Sequence, residues 1–214
     1  MAPVWHFSFP RCCLPALEWA LCPARSRQWR SRGLSAVMQA LPYAQQLGVR
    51  CVNVLAGRQP EEGDLLHCLH TLAGNARYAA EAFQSIGVTT TLEAINTIDM
   101  PGFLVSNIAQ MQEILEAADH PTLKMQFDCY HMAMMGEDVL QGLQENIQAI
   151  GHIQFADCPG RHEPDTAQIM YANIFEWLQH SSYDGFIAAE YRPKTVSTQS
   201  FAWKAKYFAA HPQS

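Results

Sequence analysis

The stretch that decides the fold is residues 123–127, LKMQF, a short apolar run followed directly by the carboxylate of Asp128. Its length and composition are those of a β-strand buried between two layers. Four similar runs flank it, at 51–56 (CVNVLA), 89–95 (TTTLEAI), 152–156 (HIQFA) and 186–189 (FIAA). The five runs predict five strands, mostly apolar on both faces, as in a parallel sheet covered by helices.

Helical spacing of apolar residues fills the segments between these runs. The predicted helices lie at 62–86, 106–118, 139–147, 174–178 and 202–209. Alternation of strand and helix predicts an α/β fold with right-handed crossovers. A doubly wound sheet fits this pattern. A (β/α)₈ barrel usually needs about 250 residues, so 214 residues with five strands leave a shortfall.

Polar side chains end the last four predicted strands. They are Glu93, Asp128, Gln154 and Glu190. A carboxylate in an apolar strand is costly to bury unless it is paired or binds a cation, and active sites of α/β folds lie at the carboxyl ends of the strands. Three carboxylates and an amide oxygen suit Mg²⁺ or Mn²⁺. The alternative for each acid is a helix cap or a local salt bridge.

Further candidates lie close to these strand ends. His131 follows Asp128 by three residues, and Arg161 lies in the loop after the Gln154 strand. The planar guanidinium of Arg161 suits a substrate carboxylate, and the alternative is a solvated loop arginine. His152 points the same way as Gln154 on a strand, so it is either a ligand or a hydrogen-bonded core histidine.

Composition and absent motifs exclude several functions. The chain is 49% apolar and 16% charged, has a net charge of −6, and contains no apolar run of 18 residues. We therefore expect a globular protein with no nucleic-acid partner and no membrane span. GxGxxG, GxxxxGK[ST], GxSxG and HExxH are all absent from the sequence. We expect no nucleotide cofactor, no serine hydrolysis and no zincin chemistry.

The first 38 residues differ from the remainder. They carry a net charge of +4 from five arginines and one acid, while residues 39–214 carry −10. We expect residues 1–38 to be an atypical segment outside the core fold, either a mitochondrial transit peptide or a non-homologous N-terminal sequence. The seven cysteines include no CxxC pair, which predicts reduced core cysteines at Cys51, Cys129 and Cys158 and a cytoplasmic location, with mitochondrial targeting as the alternative.

Six ordered motifs resemble one enzyme family, the hydroxypyruvate isomerases. That family includes the 2-oxo-tetronate isomerases and belongs to the xylose-isomerase-like TIM barrels. The resemblance runs from about Tyr43 to Trp203. The motifs are LEAIN (92–96), DMPGF (99–103), QFDCYHM (126–132), GHIQFAD (151–157), PGRHEP (159–164) and EYRP (190–193).

The resemblance implies a partial barrel at 39–214 that lacks the first three of eight βα units. It implies that Glu93 and Glu190 are paired acid–base residues, and that His131 and Arg161 contact substrate. It implies a divalent-metal set, used in the wider superfamily, of Glu93, Asp128, Gln154 and Glu190. The expected reaction interconverts hydroxypyruvate and tartronate semialdehyde through an enediolate, so the expected partner is a small hydroxy-oxo acid. Homo-oligomerisation is left open.

Two departures leave alternatives. Residues 163–168 read EPDTAQ, where the family usually has EPGTGE, and this can alter the loop over the site. Absent strands would leave open sheet edges, which favour pairing or aggregation. A truncated, inactive isoform is therefore the alternative to an active isomerase. A metal-dependent endonuclease on the same barrel type is a third reading, disfavoured by the acidic core and the lack of a histidine-rich ligand set.

Overall fold

The protein folds as a layer of parallel strands joined by helices. The computed structural model describes residues 13–17, 27–60 and 63–208. The strands are β1 (Cys13–Leu17), β2 (Cys51–Leu55), β3 (Thr89–Glu93), β4 (Leu123–Asp128), β5 (Ile150–Phe155) and β6 (Ile187–Ala189). The helices are α1 (Arg27–Leu47), α2 (Leu65–Gln84), α3 (Ile108–Ala118), α4 (Cys129–Met134), α5 (Val139–Asn146), α6 (Tyr171–His180) and α7 (Ala202–Phe208).

The sheet is parallel throughout, and its strands lie in chain order from β1 to β6. A helix lies between each strand and the next, as the alternation in the sequence predicted. Parallel neighbours of this kind need crossover connections, which the helices supply. The predicted α/β class and the five predicted strands are confirmed. Among the described residues, β1 and β6 share no ladder, so this part of the sheet is open.

The expectation for the N-terminal segment does not match the structure in two respects. β1 pairs with β2, and α1 crosses the predicted boundary between residues 38 and 39. Among the described residues the sheet therefore has six strands, one more than predicted. Pro15 accounts for the missed strand, because proline donates no ladder hydrogen bond and is confined to sheet edges. Residues 1–12 and 18–26 lie outside the described residues.

The two faces of the sheet differ in chemistry, which corrects the expectation of strands apolar on both faces. Leu92 pairs with both Val54 and Met125 across the ladders, and all three are buried in the hydrophobic core. On the alternate positions Glu93 pairs with Gln126, and Asp128 with Gln154. Because side chains alternate along a strand and partners share a face, one face carries the core and the other carries polar groups.

The apolar face is sealed by α2, α3 and α6. Their buried residues include Phe83, Met111 and Phe175. Phe175 packs edge-on against Phe155 of β5 with ring centroids 5.4 Å apart. This packing fixes the strands, and so the positions of the side chains that leave their carboxyl ends.

The structure agrees with the predicted reduced core cysteines at Cys129 and Cys158. Cys68, Cys129 and Cys158 are free and buried, and Cys51 is buried as well. No helix among the described residues combines the length and the apolarity needed to cross a membrane. The compartment in which the protein works stays a prediction.

Candidate active site

Three carboxylates meet at the carboxyl edge of the sheet. Glu93 ends β3 and Asp128 ends β4, and both side chains are almost fully buried. Glu190 follows β6, where its backbone N–H donates to Phe155 O at 3.0 Å, and half of its side chain is exposed. The parallel sheet brings these residues to one edge although they are 97 positions apart in the chain.

A row of amide side chains links Glu93 to Glu190. Asn53 Nδ2 and Gln126 Nε2 donate to Glu93 Oε2 at 2.6 and 3.0 Å. Gln126 Nε2 also lies 2.6 Å from Gln154 Oε1, and Gln154 Nε2 donates to Glu190 Oε2 at 2.5 Å. The row crosses the polar face from β2 to the end of β6. Hydrogen bonds of this kind hold both carboxylates in fixed orientations.

Arg161 supplies the positive charge of the site. Its Nη2 lies 3.0 Å from Glu190 Oε1 and 3.4 Å from Asp128 Oδ2. The guanidinium also lies over the ring of Tyr130, with its central carbon 5.1 Å from the ring centroid. Both ion-pair contacts use Nη2, and a guanidinium has five N–H donors. Donors on Nη1 and Nε therefore suit a substrate carboxylate.

The loop that carries Arg161 is organised by one buried carboxylate, Asp157. This side chain accepts hydrogen bonds from the backbone N–H groups of Cys158, Thr166, Ala167 and Ile169 at 2.8–3.0 Å. Such bonds satisfy the loop's backbone donors and fix its path.

Asp165, one of the departures from the family's loop, keeps the backbone shape that glycine favours. Its φ is 70°, in the left-handed region. Its carboxylate accepts from Lys206 Nζ at 2.9 Å and from the hydroxyl of Tyr207, both on α7. The loop is thereby tied to the last described helix.

His131 faces the two buried carboxylates. Its Nε2 lies 3.8 Å from Asp128 Oδ2 and 4.0 Å from Glu93 Oε1. Burial first, and then the positive charge of Arg161, lower the pKa of His131 to about 4. The imidazole is therefore neutral at pH 7, and it can donate one hydrogen bond and accept one.

The pKa values of the three carboxyl groups are all raised. Burial raises the pKa of Glu93 well above its ordinary value of 4.5, and the charges of Asp128 and Glu190 add to this shift. Desolvation also raises the pKa of Asp128 against the opposing charge of Arg161, and it raises that of Glu190 together with the charge of Asp128. A raised pKa makes a carboxyl group a better proton acceptor than an ordinary carboxylate.

The raised pKa of Glu93 predicts an unusual pH dependence of stability without divalent cations. Folding favours protonated Glu93, so this contribution is complete below the unfolded pKa, near 4.5, and is lost as pH rises through the folded pKa. In chelator, Glu93→Gln should remove part of the decline in the free energy of unfolding above pH 4.5. Denaturant titrations at a series of pH values measure the free energy of unfolding of the variant and the parent. Glu116→Gln on the exposed face of α3 is the control, and identical slopes in Glu93→Gln and parent would contradict the assignment.

The residues fit a hard divalent cation. Glu93, Asp128 and His131 offer ligand atoms within 4.8 Å of one another. Asn53, which is bonded to Glu93, has a buried Oδ1 with no hydrogen-bond partner among the described residues. Crowded buried carboxylates beside an unsatisfied oxygen are the donors that Mg²⁺ and Mn²⁺ bind.

The structure places every predicted site residue in one connected group. Hydrogen bonds and ion pairs link Glu93, Asp128, Gln154, Glu190 and Arg161, and His131 lies beside the first two. Their catalytic, substrate and metal roles stay predictions.

His152 is the remaining histidine candidate from the sequence, and several uncharged polar residues also contact the site residues. His152 is buried, and its Nδ1 has no hydrogen-bond partner among the described residues, so this atom lacks the hydrogen bond of a satisfied core histidine. Four of these polar residues were not predicted from the sequence: Asn53, Gln126, Asn96 and Tyr130. Gln126 could have been found, because it precedes Asp128 by two residues and so shares its face.

Comparison with known proteins defines the class. The family profile described as "Xylose isomerase-like TIM barrel" matches residues 8–207. A crystal structure of AP endonuclease, family 2, from Brucella melitensis superimposes with a TM-score of 0.82 at 29% identity, covering 91% of this chain and 76% of that one. The chain belongs to the xylose isomerase-like TIM barrel family.

Within this class the sequence relatives are isomerases. The chain is 37% identical over 188 residues to the 2-oxo-tetronate isomerase of Cupriavidus necator, covering 88% of this chain and 71% of that protein. It is 32% identical over 203 residues to the hydroxypyruvate isomerase of Escherichia coli, covering 91% and 76%. The predicted resemblance to an isomerase family is confirmed, and the match begins well before Tyr43.

Proposed function

We propose that the protein interconverts hydroxypyruvate and tartronate semialdehyde. The observation that carries this proposal is the pair Glu93 and Glu190, two carboxyl groups with raised pKa values joined by Gln126 and Gln154. Isomerisation of a hydroxy-ketone needs one group to take a proton from carbon and one to return it. A pair of tuned carboxyl groups supplies both.

The reaction moves two protons and changes no overall oxidation state. One glutamate removes a proton from C3 of hydroxypyruvate, and the C3–H electron pair becomes the C2–C3 double bond of an enediolate. A proton is then delivered to C2, while the C3 hydroxyl proton passes to the oxygen on C2. The product carries an aldehyde at C3 and a hydroxyl at C2. Because the reaction is reversible, Glu93 and Glu190 exchange the roles of acid and base.

Substrate orientation falls to Arg161 and His131. Arg161 would bind the substrate carboxylate through its Nη1 and Nε donors, and neutral His131 would contact an oxygen of the reacting carbons. Glu93 and Asp128, with Gln154 and Glu190, would hold a divalent cation. When bound, that cation lowers the free energy of negative charge developing on the two substrate oxygens.

An assay of the full chain tests the proposal. Purified protein with Mg²⁺ or Mn²⁺ should convert hydroxypyruvate, and chelation should lower the rate. A parallel assay with a 2-oxo-tetronate tests the activity in the name of the C. necator relative. One observation supports the alternative of a truncated, inactive isoform: among the described residues the first and last strands of the sheet are not paired with each other. A folded chain that turns over neither substrate, with or without metal, would contradict the proposal and support that alternative.

A further inference from the structure

Asn96, which lies just beyond β3, has a fixed side-chain orientation. Its Oδ1 accepts hydrogen bonds from the backbone N–H groups of Ile98 at 3.1 Å and Asp99 at 2.7 Å. The reverse orientation would set the amide NH₂ against two N–H donors. Oδ1 is therefore the oxygen, and Nδ2 must point away from these backbone groups.

Nδ2 of Asn96 points at His131. It lies 2.7 Å from His131 Nδ1, and it also donates to Asp99 Oδ2 at 3.0 Å. The backbone N–H of Asn96 approaches the same ring nitrogen at 3.4 Å. Two N–H donors therefore face Nδ1, which must present its lone pair to them. In a neutral imidazole the single proton is then on Nε2.

The Nε2 proton points toward the carboxylates without a close acceptor. The distances from Nε2 to Asp128 Oδ2 and Glu93 Oε1, 3.8 and 4.0 Å, exceed hydrogen-bond range. A substrate oxygen between these groups would be within reach of the proton. A metal ion would not bind Nε2 in this tautomer, because the ring lone pair lies on the other nitrogen.

We propose that Asn96 is a positioning residue that holds His131 in the Nε2–H tautomer, so that His131 donates to a substrate oxygen and does not ligate the metal. This inference deepens the proposed function and rests on it for the identity of the substrate. It gives Asn96 a role in positioning His131, and it gives His131 a different function from the neighbouring carboxylates, which would bind the metal.

Asn96 is also connected, through Asp99 and Tyr130, to Arg161, the second residue proposed to contact the substrate. Asp99 Oδ2 accepts from Tyr130 Oη at 2.8 Å as well as from Asn96. Tyr130 in turn packs under the guanidinium of Arg161. Hydrogen bonds from Asn96 and Tyr130 lower the pKa of Asp99, so this anchor is charged at neutral pH. One chain of contacts thus orients both His131 and Arg161.

The test inverts the tautomer with an isosteric change. In Asn96→Asp a carboxylate faces Nδ1, which should take the proton and leave the lone pair on Nε2. The double variant Asn96→Asp/Asp99→Asn restores a donor opposite position 96 and removes the repulsion between two carboxylates. This double variant replaces Asn96→Asp in the test if the single variant does not fold. Asp99→Asn alone is the control, because the Asn96 amide keeps its two backbone donors and so its orientation.

The readout is the ¹⁵N NMR spectrum of the His131 ring at pH 7. We expect Nε2 to be the protonated nitrogen in the parent and in Asp99→Asn, and Nδ1 in the inverted variants. With hydroxypyruvate, kcat should fall about 10²- to 10³-fold on inversion, as when one hydrogen-bond donor to a developing oxyanion is lost. The control should lose about 10-fold, as for an outer-shell partner.

A proton on Nδ1 in the parent would overturn the inference, as would inversion that leaves kcat unchanged. The spectrum is read without turnover, so it decides the tautomer whatever the substrate. An Nε2–H spectrum with no conversion of hydroxypyruvate would contradict the proposed function and leave the positioning by Asn96 supported.

Discussion

Glu190→Gln should lower kcat for hydroxypyruvate by about 10²- to 10⁴-fold, the range that a general acid or base contributes. Glutamine has the same shape, and its single amide oxygen can accept one of the two bonds that Glu190 receives from Gln154 at Oε2 and Arg161 at Oε1. It cannot exchange a proton with carbon. Half of the Glu190 side chain is exposed, so the substitution should leave the fold and its stability nearly unchanged. Steady-state kinetics and thermal unfolding measure the two effects.

Glu116→Gln is the matched control for Glu190→Gln. It makes the same change on the exposed face of α3, away from the strand ends, and should keep parental activity. Equal kcat in the parent and in Glu190→Gln would refute the acid–base role. A loss of activity accompanied by unfolding would show that the residue supports the fold instead.

Asp128→Asn should weaken divalent-cation binding by at least about 100-fold, the upper end of the loss caused by outer-shell substitutions. Asp128 caps α4 by accepting the backbone N–H of Tyr130 at 2.8 Å, and asparagine can keep that cap. The change therefore removes the charge and preserves the local backbone. Calorimetric titration with Mn²⁺ measures the affinity, and kcat/KM should fall with it.

Asp138→Asn controls for the cap. Asp138 is exposed and caps α5 through the N–H of Gln141 at 3.0 Å, so it undergoes the same chemical change outside the site. Its variant should bind Mn²⁺ as the parent does. Unchanged Mn²⁺ affinity in Asp128→Asn would remove Asp128 from the ligand set.

Local patterns in the sequence were enough for the strands that carry the site. Short apolar runs predicted β3, β4 and β5. The polar residues at the ends of these runs, Glu93, Asp128 and Gln154, indicated the site, because a buried carboxylate or amide needs a partner or a bound ligand. β1 has no such pattern. It contains Pro15 and lies at the edge of the sheet, so only its pairing with β2 reveals it.

The hydrogen-bonded support of the site could not be read from the sequence. Asn53 reaches Glu93 only because the register of the ladder places Leu55 opposite Glu93 and Asn53 opposite Thr91. Register depends on tertiary packing, and a slip of one residue would turn Asn53 to the other face. Asn96 similarly owes its role to a loop whose backbone donors fix its amide.

The most direct test of the central claim is deuterium incorporation during turnover. The chain, loaded with Mg²⁺ or Mn²⁺, is incubated with hydroxypyruvate in D₂O, and the carbon-bound hydrogens are followed by NMR. Proton transfer through Glu93 and Glu190 predicts deuterium at C2 of tartronate semialdehyde, and its formation should be about 10²- to 10⁴-fold slower in Glu190→Gln. Tartronate semialdehyde formed with no deuterium at C2 would contradict the account, because the hydrogen removed from C3 would then reach C2 without one carboxyl group taking it up and a second delivering a solvent-derived one.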